Sequence, residues 1–390
     1  MAEQRPLRIL LGCDTFAPDI NGAARFAERL ASGLVQRGHF VHVSAPNTRY
    51  RLEEPRFEHV EGEDLVMHRL PSVKAPGHDW LRFVWPWRSK HYARKVLDSV
   101  RPDVVHIQSH IVIGRGLTRE ARKRGIPVIA TNHTMAENIL DFTRLPEWGN
   151  KIFVKLAWAD ARRTFEMSAA VTTPTRKAAD FLEETIGLAG VLPISCGIDM
   201  AQYTADLTPR TEKRIVFVGR LTSEKRIDDL LRAAARLDDD VIVELVGGGD
   251  QLGALESLVD ELGIRDRVIF HGRVSDEELR AALTRATMFA IASIAELQSI
   301  ATMEAMASGL PIVAANAVAL PHLVEHGKNG YLFEPENVDE LEARIRDVLS
   351  ADQDAYQAMQ RASLEMVSAH DITRTLDTFE SLYRGGALPA

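Results

Sequence analysis

Two acids, Glu296 and Glu304, flank the run Leu297-Gln298-Ser299-Ile300-Ala301-Thr302-Met303, and the chain continues through Ala305-Met306-Ala307-Ser308-Gly309 to Pro311. The pattern predicts a helix over Thr302 to Ala307, with Ser299 as N-cap and Gly309 and Pro311 ending it. Eight helical residues span about 12 Å. That is the reach from the sugar to the ribose of a nucleotide diphosphate sugar, so one ligand would touch both acids. Unpaired N–H groups at the helix start, around Ser299 and Ile300, would receive a diphosphate between them. The same spacing also fits an ordinary helix with two solvated acids.

A second constellation, Val218-Gly219-Arg220-Leu221-Thr222-Ser223-Glu224-Lys225-Arg226, follows a strand and precedes a helix. Arg220 and Lys225 therefore lie at the carboxyl end of a strand, where open parallel sheets bind ligands. Two fixed cations suit a diphosphate and stabilise the charge that develops as it departs, as a divalent metal would. A surface turn in which either cation pairs with Glu224 or Asp228 fits the same residues.

The elements that must hold these groups follow one grammar, used twice. In the first half, strands are predicted at Arg8 to Gly12, Phe40 to Ala45, Val104 to Gln108, Val128 to Asn132 and Ala170 to Thr173. Helices fall at Ala23 to Gln36 and after Gly114, the latter closing at Gly125 and Pro127. In the second half the strands are Ile215 to Val218, Val241 to Val246, Val268 to His271, Met288 to Ala292 and Pro311 to Ala314. Ile227 to Leu237, Leu252 to Leu262 and Asp276 to Thr284 are the helices between them. Gly187 to Gly197 reads as a linker, and Asp339 to Leu349 and Ala355 to Tyr383 as terminal helices. Alternation of this kind predicts an α/β chain of two doubly wound, Rossmann-like domains facing across a cleft. The expected boundaries are 1–188 and 189–368, with a helix over 369–390.

Composition bounds the function. The 390 residues are 45% hydrophobic and 26% charged, without a low-complexity tract, which excludes disorder and fibrous repeats. No apolar run reaches the roughly 18 to 20 residues that cross a bilayer. Met1 to Leu11 runs into a short strand and does not read as a secretory signal. Cys13 and Cys196 fit neither a disulfide framework nor a zinc site. The formal net charge of −8 divides into +6 over residues 1–190 and −14 over the rest. An acidic chain lacks the field that nucleic acid requires, whereas a basic half suits anionic lipid. A dehydrogenase is disfavoured: Gly247-Gly248-Gly249-Asp250 is the nearest glycine cluster, and Leu252 breaks Gly-x-Gly-x-x-Gly.

Several segments in order resemble the family 4 retaining glycosyltransferases of the GT-B fold. They are Asp14-Thr15-Phe16-Ala17-Pro18 with Asn21-Gly22, Arg37-Gly38-His39, Ser195-Cys196-Gly197-Ile198-Asp199, Gly219-Arg220 with Lys225, Phe270-His271-Gly272, and the run from Glu296 to Pro311. The resemblance covers nearly the whole chain. It implies that Glu296 binds donor-sugar hydroxyls and Glu304 the ribose, and that Arg220 and Lys225 neutralise the diphosphate. It also implies close approach at Gly22, donor contacts from Gly219, Gln298, Ser299 and Ile300, and contacts to the base from backbone groups around His271 to Val274, with His271, Arg273 and Val274 among the donor-binding residues. By the same resemblance 1–188 is the acceptor-side domain, 189–368 the nucleotide-sugar domain, and the helix over 369–390 returns to the first. His133, in Thr131-Asn132-His133-Thr134, matches the active-site histidine, so His133, Arg220, Lys225 and Glu296 are the expected catalytic set. Ser195-Cys196 departs from the family's usual Pro-Asn. The resemblance implies retention of configuration, with front-face attack assisted by the leaving phosphate. It implies no cofactor beyond a UDP- or GDP-linked donor and no metal-binding Asp-x-Asp.

The acceptor side carries all five tryptophans between residues 80 and 158. Trp80, Trp85 and Trp87 are followed by Arg88, Lys90, Arg94 and Lys95. Trp148 to Arg163 adds Lys151, Phe153, Lys155, Trp158, Arg162 and Arg163. Rings beside cations suit an interfacial membrane contact, and they equally suit a packed helix pair with a solvated basic face. The family includes enzymes acting on diacylglycerols and phosphatidylinositol and others acting on soluble inositol phosphates, sugars and small metabolites. The expectation is hexosyl transfer to a membrane glycerolipid or glycolipid by a cytoplasmic, peripheral enzyme on the inner membrane face. A soluble acceptor is the alternative, and a non-catalytic nucleotide-sugar binder a further one. Oligomeric state stays open.

Overall fold

The computed structural model describes residues 5–19, 21–74, 82–133 and 147–386. The chain divides into two compact units, residues 1–195 with 375–390, and residues 196–374.

The first unit runs β1 (Arg8–Gly12), α1 (Gly22–Gln36), β2 (Phe40–Pro46), β3 (Arg56–Val60), β4 (Glu63–Leu70), β5 (Ser72–Lys74), β6 (Arg82–Val84), α2 (Ser89–Val100), β7 (Val104–Ile107), α3 (Ile113–Lys123), β8 (Val128–Thr131), α4 (Glu147–Phe165), β9 (Ala170–Thr173), α5 (Arg176–Ile186) and β10 (Leu192–Pro193). Its main sheet is ordered β10-β9-β8-β7-β1-β2-β4-β3. Every pairing is parallel except β3 against β4. Ile9, Leu10 and Leu11 of the central strand are fully buried, as expected of a strand covered on both faces. Leu10, Val105, Ile107, Leu117, Trp158 and Phe165 belong to one hydrophobic core.

The second unit runs β11 (Lys213–Val218), α6 (Ile227–Ala234), β12 (Val241–Val246), α7 (Leu252–Glu261), β13 (Val268–Gly272), α8 (Asp276–Arg285), β14 (Met288–Ile291), α9 (Ile300–Ala307), β15 (Ile312–Ala315), β16 (Gly330–Phe333), α10 (Val338–Leu349) and α11 (Gln353–Val367). Helix α12 (Ile372–Tyr383) follows, its residues from Thr375 onward counting with the first unit. The sheet is ordered β13-β12-β11-β14-β15-β16, parallel throughout.

Several elements lie beyond those expected, among them α5, β5, β6 and β16, and three further differences have a local physical cause. The hairpin β3–β4 turns through Glu61 and Gly62, both at positive φ (49° and 82°). This is the twist a two-residue hairpin needs, made with a residue pair that carries little turn signal. Leu192–Pro193, within the expected linker, pairs in parallel with β9; proline is tolerated because β10 is an edge strand. The expected long terminal helix is two helices, α11 and α12, separated by a 3-10 turn at Ser368–His370.

Strand order reverses between β11 and β14 in the second unit and between β1 and β7 in the first. The loops leaving such neighbours in opposite directions open a crevice at the carboxyl ends of the strands. The loops after β11 and β14 carry Arg220, Lys225 and Glu296.

Candidate functional site

In the second unit the two sequence constellations meet at the switch point. Lys225 Nζ forms an ion pair with Glu296 Oε1, and both side chains are largely buried. Arg220 Nη2 donates to Glu224 Oε1 at 3.2 Å, the surface-turn pairing that the sequence also allowed. The Glu224 carbonyl accepts from Ile294 N at 3.0 Å and from Ser293 Oγ at 3.3 Å. One loop is thereby stitched to the other.

Helix α9 begins at Ile300, so Glu296 lies on the loop before it and only Glu304 is helical. The 12 Å helical span between the acids is therefore corrected: a loop, not a helix, carries the sequence from Glu296 to Ser299. Ser299 is the N-cap, its Oγ accepting from Thr302 N at 3.2 Å. The N–H groups of Ile300 and Ala301 stand in the first turn, where a helix offers no acceptor of its own. The helix holds no acid in that turn, so its positive end is not offset locally.

Glu304 is buried, and Tyr203 Oη donates to its Oε1 at 2.9 Å. Gln298 Oε1 accepts from Cys196 N at 2.7 Å, so this amide braces the start of the unit. His271 Nε2 lies 2.7 Å from Glu244 Oε2, and Arg214 and Arg285 bond the same carboxylate. Burial pushes Glu244 up, yet hydrogen bonds from Arg285, His271 and Arg214 hold it below the usual carboxylate range. Arg273 is exposed and Val274 half-buried beyond β13.

The glycine cluster has a packing reason. A Cβ on Gly247 would stand 1.9 Å from Gly219 O, and one on Gly249 2.1 Å from Leu221 O. The β12 loop thus lies directly on the backbone of the Arg220 loop, with Leu221 N bonded to Gly248 O at 3.1 Å. Gly219 itself adopts φ +157°.

In the first unit, Asn21 caps α1, accepting from Ala24 N at 2.9 Å, and Gly22 is the first helical residue. Asp14 accepts from Ser109 Oγ and from Ile113 N at 2.9 Å, tying the loop after β1 to the start of α3. Burial pushes the Asp14 carboxyl up, opposed by these bonds.

His133 follows β8, half-buried, its ring 5.0 Å from that of Phe26. Its Nε2 is 2.9 Å from Gln108 Oε1. Gln108 Nε2 is 3.2 Å from His106 Nε2, and His106 Nδ1 is 2.6 Å from Tyr383 Oη. Burial drives His106 down to about 3 and His133 to about 4. Both rings are neutral at neutral pH.

The aromatic stretch divides. Trp158 is buried, within ring contact of Phe181 and His110, so it belongs to the core and not to an exposed patch. Trp87 is 71% exposed and stacks on Trp85 at 4.6 Å; Arg88 and Lys90 beside it are exposed. Trp80 lies outside the described residues. On α4, Trp148, Ile152 and Leu156 are 70%, 51% and 64% exposed. Their four-residue spacing sets them on one helix face, with Lys151, Lys155, Arg162 and Arg163 also exposed. Among the described residues no helix is long and apolar enough to cross a membrane.

Neither Tyr203 nor the Gln108, His106 and Tyr383 series was visible in sequence. Their partners lie 101, 25, 2 and 277 residues away, and no local motif marks such contacts.

Two doubly wound units of this topology form the GT-B fold. A sucrose-phosphate synthase from Thermosynechococcus elongatus superposes with a TM-score of 0.80 over 98% of this chain and 99% of that one, at 18% identity. Residues 20–202 match the family described as Glycosyltransferase Family 4, and residues 202–366 match Glycosyl transferases group 1. An uncharacterized glycosyltransferase of Methanocaldococcus jannaschii is 37% identical over 356 residues, 85% of this chain and 86% of that protein. The alpha-monoglucosyldiacylglycerol synthase of Streptococcus pneumoniae is 26% identical over 390 residues, 96% of this chain and 85% of that protein. The chain belongs to the family 4 glycosyltransferases.

Proposed function

We propose that the protein transfers a hexose from a UDP- or GDP-sugar to a glycerolipid or glycolipid acceptor at an anionic membrane surface, with retention of configuration and without a metal ion or other cofactor. In this reading Arg220, Lys225 and the first turn of α9 neutralise the departing diphosphate. Glu296 and Glu304 accept hydroxyl hydrogens from the sugar and the ribose. Gly219 and Gly22 admit the diphosphate close to the backbone, and His271, Arg273 and Val274 border the base. The acceptor oxygen attacks the anomeric carbon on the face from which the phosphate leaves. The new C–O bond forms as the bond to phosphate breaks, and the acceptor's proton passes to the departing phosphate oxygen.

The observation that carries the lipid acceptor is the exposed face of α4, where Trp148, Ile152 and Leu156 share one stripe with lysines and arginines beside it. Apolar side chains enter the headgroup boundary while cations meet anionic lipid. The named activity of the pneumococcal relative points the same way.

Co-sedimentation with vesicles tests the reading. The full chain is expected to pellet with vesicles containing phosphatidylglycerol, to bind phosphatidylcholine vesicles weakly, and to transfer sugar to diacylglycerol or glucosyldiacylglycerol held in them. Absence of binding, with efficient transfer to a soluble sugar or inositol phosphate, would replace the lipid acceptor with a soluble one. Thermal-shift measurements with UDP and GDP identify the base, because the bound nucleotide raises the melting temperature by mass action.

A further inference from the structure

The strongest feature left unused by the proposed reaction is the buried polar chain behind His133. His106 is fully buried, and Gln108 is 3% exposed. Tyr383, from the C-terminal segment, is also buried, and its hydroxyl is 2.6 Å from His106 Nδ1. On the other side of that ring, Thr131 Oγ1 stands 2.7 Å from Nε2 and 2.7 Å from Thr172 Oγ1. Phe379 packs on the His106 ring with centroids 4.8 Å apart, and Phe26 bridges toward His133, 6.0 Å from Phe379. Water is kept from these groups, so each must find its partner within the protein.

Proton positions along such a chain are interdependent. With Gln108 placing Nε2 toward His106 and Oε1 toward His133, its amide N–H donates to His106 Nε2. The lone pair on His106 Nε2 then also accepts from the Thr131 hydroxyl, which in turn accepts from Thr172, and the ring holds its single proton on Nδ1, which donates to the Tyr383 oxygen. Gln108 Oε1 accepts only from a protonated nitrogen, so His133 carries its proton on Nε2. The hydrogen bond made by one ring nitrogen determines the role left to the other. His133 Nδ1 therefore keeps its lone pair.

We infer that Gln108, His106 and Tyr383 are positioning residues that hold His133 in the Nε2–H tautomer, so that its Nδ1 accepts a hydrogen bond from a sugar hydroxyl during transfer. This rests on the reading of His133 as an active-site group. The C-terminal segment then contributes to the chemistry through Tyr383 without touching substrate.

The test uses full-length protein labelled with 15N-histidine. Two-bond 1H–15N spectra, with His133 assigned by its loss in His133→Ala, are expected to show protonated Nε2 and unprotonated Nδ1. In Gln108→Met, which keeps the volume and removes both hydrogen bonds, the His133 signals should move toward tautomer averaging. Its kcat should fall about tenfold, the value of one hydrogen bond, with the donor KM moving less than twofold. Tyr383→Phe should shift the same signals with a smaller loss of kcat.

An Nδ1–H tautomer in the unsubstituted protein would overturn the proposal, and that spectrum decides even where the variants fold poorly. Unchanged His133 signals and turnover in both variants would also overturn it. Full turnover in His133→Ala would instead sink the active-site reading of His133. Loss of turnover there, with Gln108→Met and Tyr383→Phe both unaffected, would sink the positioning role alone.

Discussion

The ammonium of Lys225 is paired with the carboxylate of Glu296, a residue 71 positions further along and on the other side of the strand-order reversal. Each group is proposed to meet a different part of the donor, the diphosphate and the sugar, so the pair sets their spacing. Removing one partner leaves the other largely buried without its counter-charge, at a cost of about 3–5 kcal/mol. Lys225→Met and Glu296→Gln should each lower turnover by about 100-fold or more. In thermal or urea unfolding the double substitution should be less destabilising than the sum of the singles, by about 1–2 kcal/mol. Strict additivity would mean that the pair contributes no coupling.

Tyr203 acts on Glu304 through one hydrogen bond of 2.9 Å. Tyr203→Phe removes the donor and leaves the ring in place. The carboxylate then loses one of the bonds that orient it toward the proposed ribose. The expected outcome is a donor KM raised about three- to tenfold with kcat little changed, read from initial rates at varied donor. A fall in kcat at constant KM would place Glu304 elsewhere in the reaction.

Much of this frame was legible before any coordinates. β1, β9 and β12 match their expected bounds, because short apolar runs between glycines and helical periods are what a buried parallel strand looks like. The loops bearing Arg220, Lys225 and Glu296 were legible for the same reason. The contacts that orient them were not. Glu224 was visible as an alternative partner for Arg220, whereas the partnership of Lys225 with Glu296 depends on which strands adjoin, and sequence order does not state that. The strand pair β3–β4 leaves little mark in the sequence because Glu61-Gly62 carries a weaker turn signal than Asn-Gly. Trp158 stands among cationic neighbours along the chain, yet helical geometry turns it inward while Trp148, Ile152 and Leu156 face out.

A pH dependence is built into α1. Glu28 is 5% exposed, and its carboxyl is pushed up to about 7 by burial, with Glu61 adding to the effect and Arg25 opposing it. An unfolded chain releases this proton near the ordinary value of 4.5. Between about 4.5 and 7 the folded chain therefore binds more protons than the unfolded one, so this group's contribution to stability falls as pH rises and levels off above 7. The total loss is about 3 kcal/mol at most. Glu28→Gln removes the ionisable group. Its melting temperature should exceed that of the unsubstituted protein at pH 8 and match it near pH 4.5. Parallel melting curves at both pH values would show that Glu28 ionises normally.

The neighbouring glycines of the β12 loop make opposite predictions. At Gly247 an added methyl would lie 1.9 Å from the carbonyl oxygen of Gly219, a backbone atom that no side-chain rotation can move, and φ there is +136°. Strain and clash act together, so Gly247→Ala should destabilise by about 2–4 kcal/mol. Relief comes by pushing the Gly219-Arg220 backbone away, so turnover should fall even at temperatures where the variant remains folded. At Gly248 the nearest atom to a Cβ is Arg273 Cγ at 3.8 Å, an ordinary contact. Gly248→Ala should therefore change stability by no more than about 0.5 kcal/mol. Denaturant unfolding and initial rates on the two variants separate the accounts. If the loop serves only as a flexible connection the two should behave alike, whereas contact between the β12 loop and the Arg220 loop requires that only Gly247→Ala lose donor affinity.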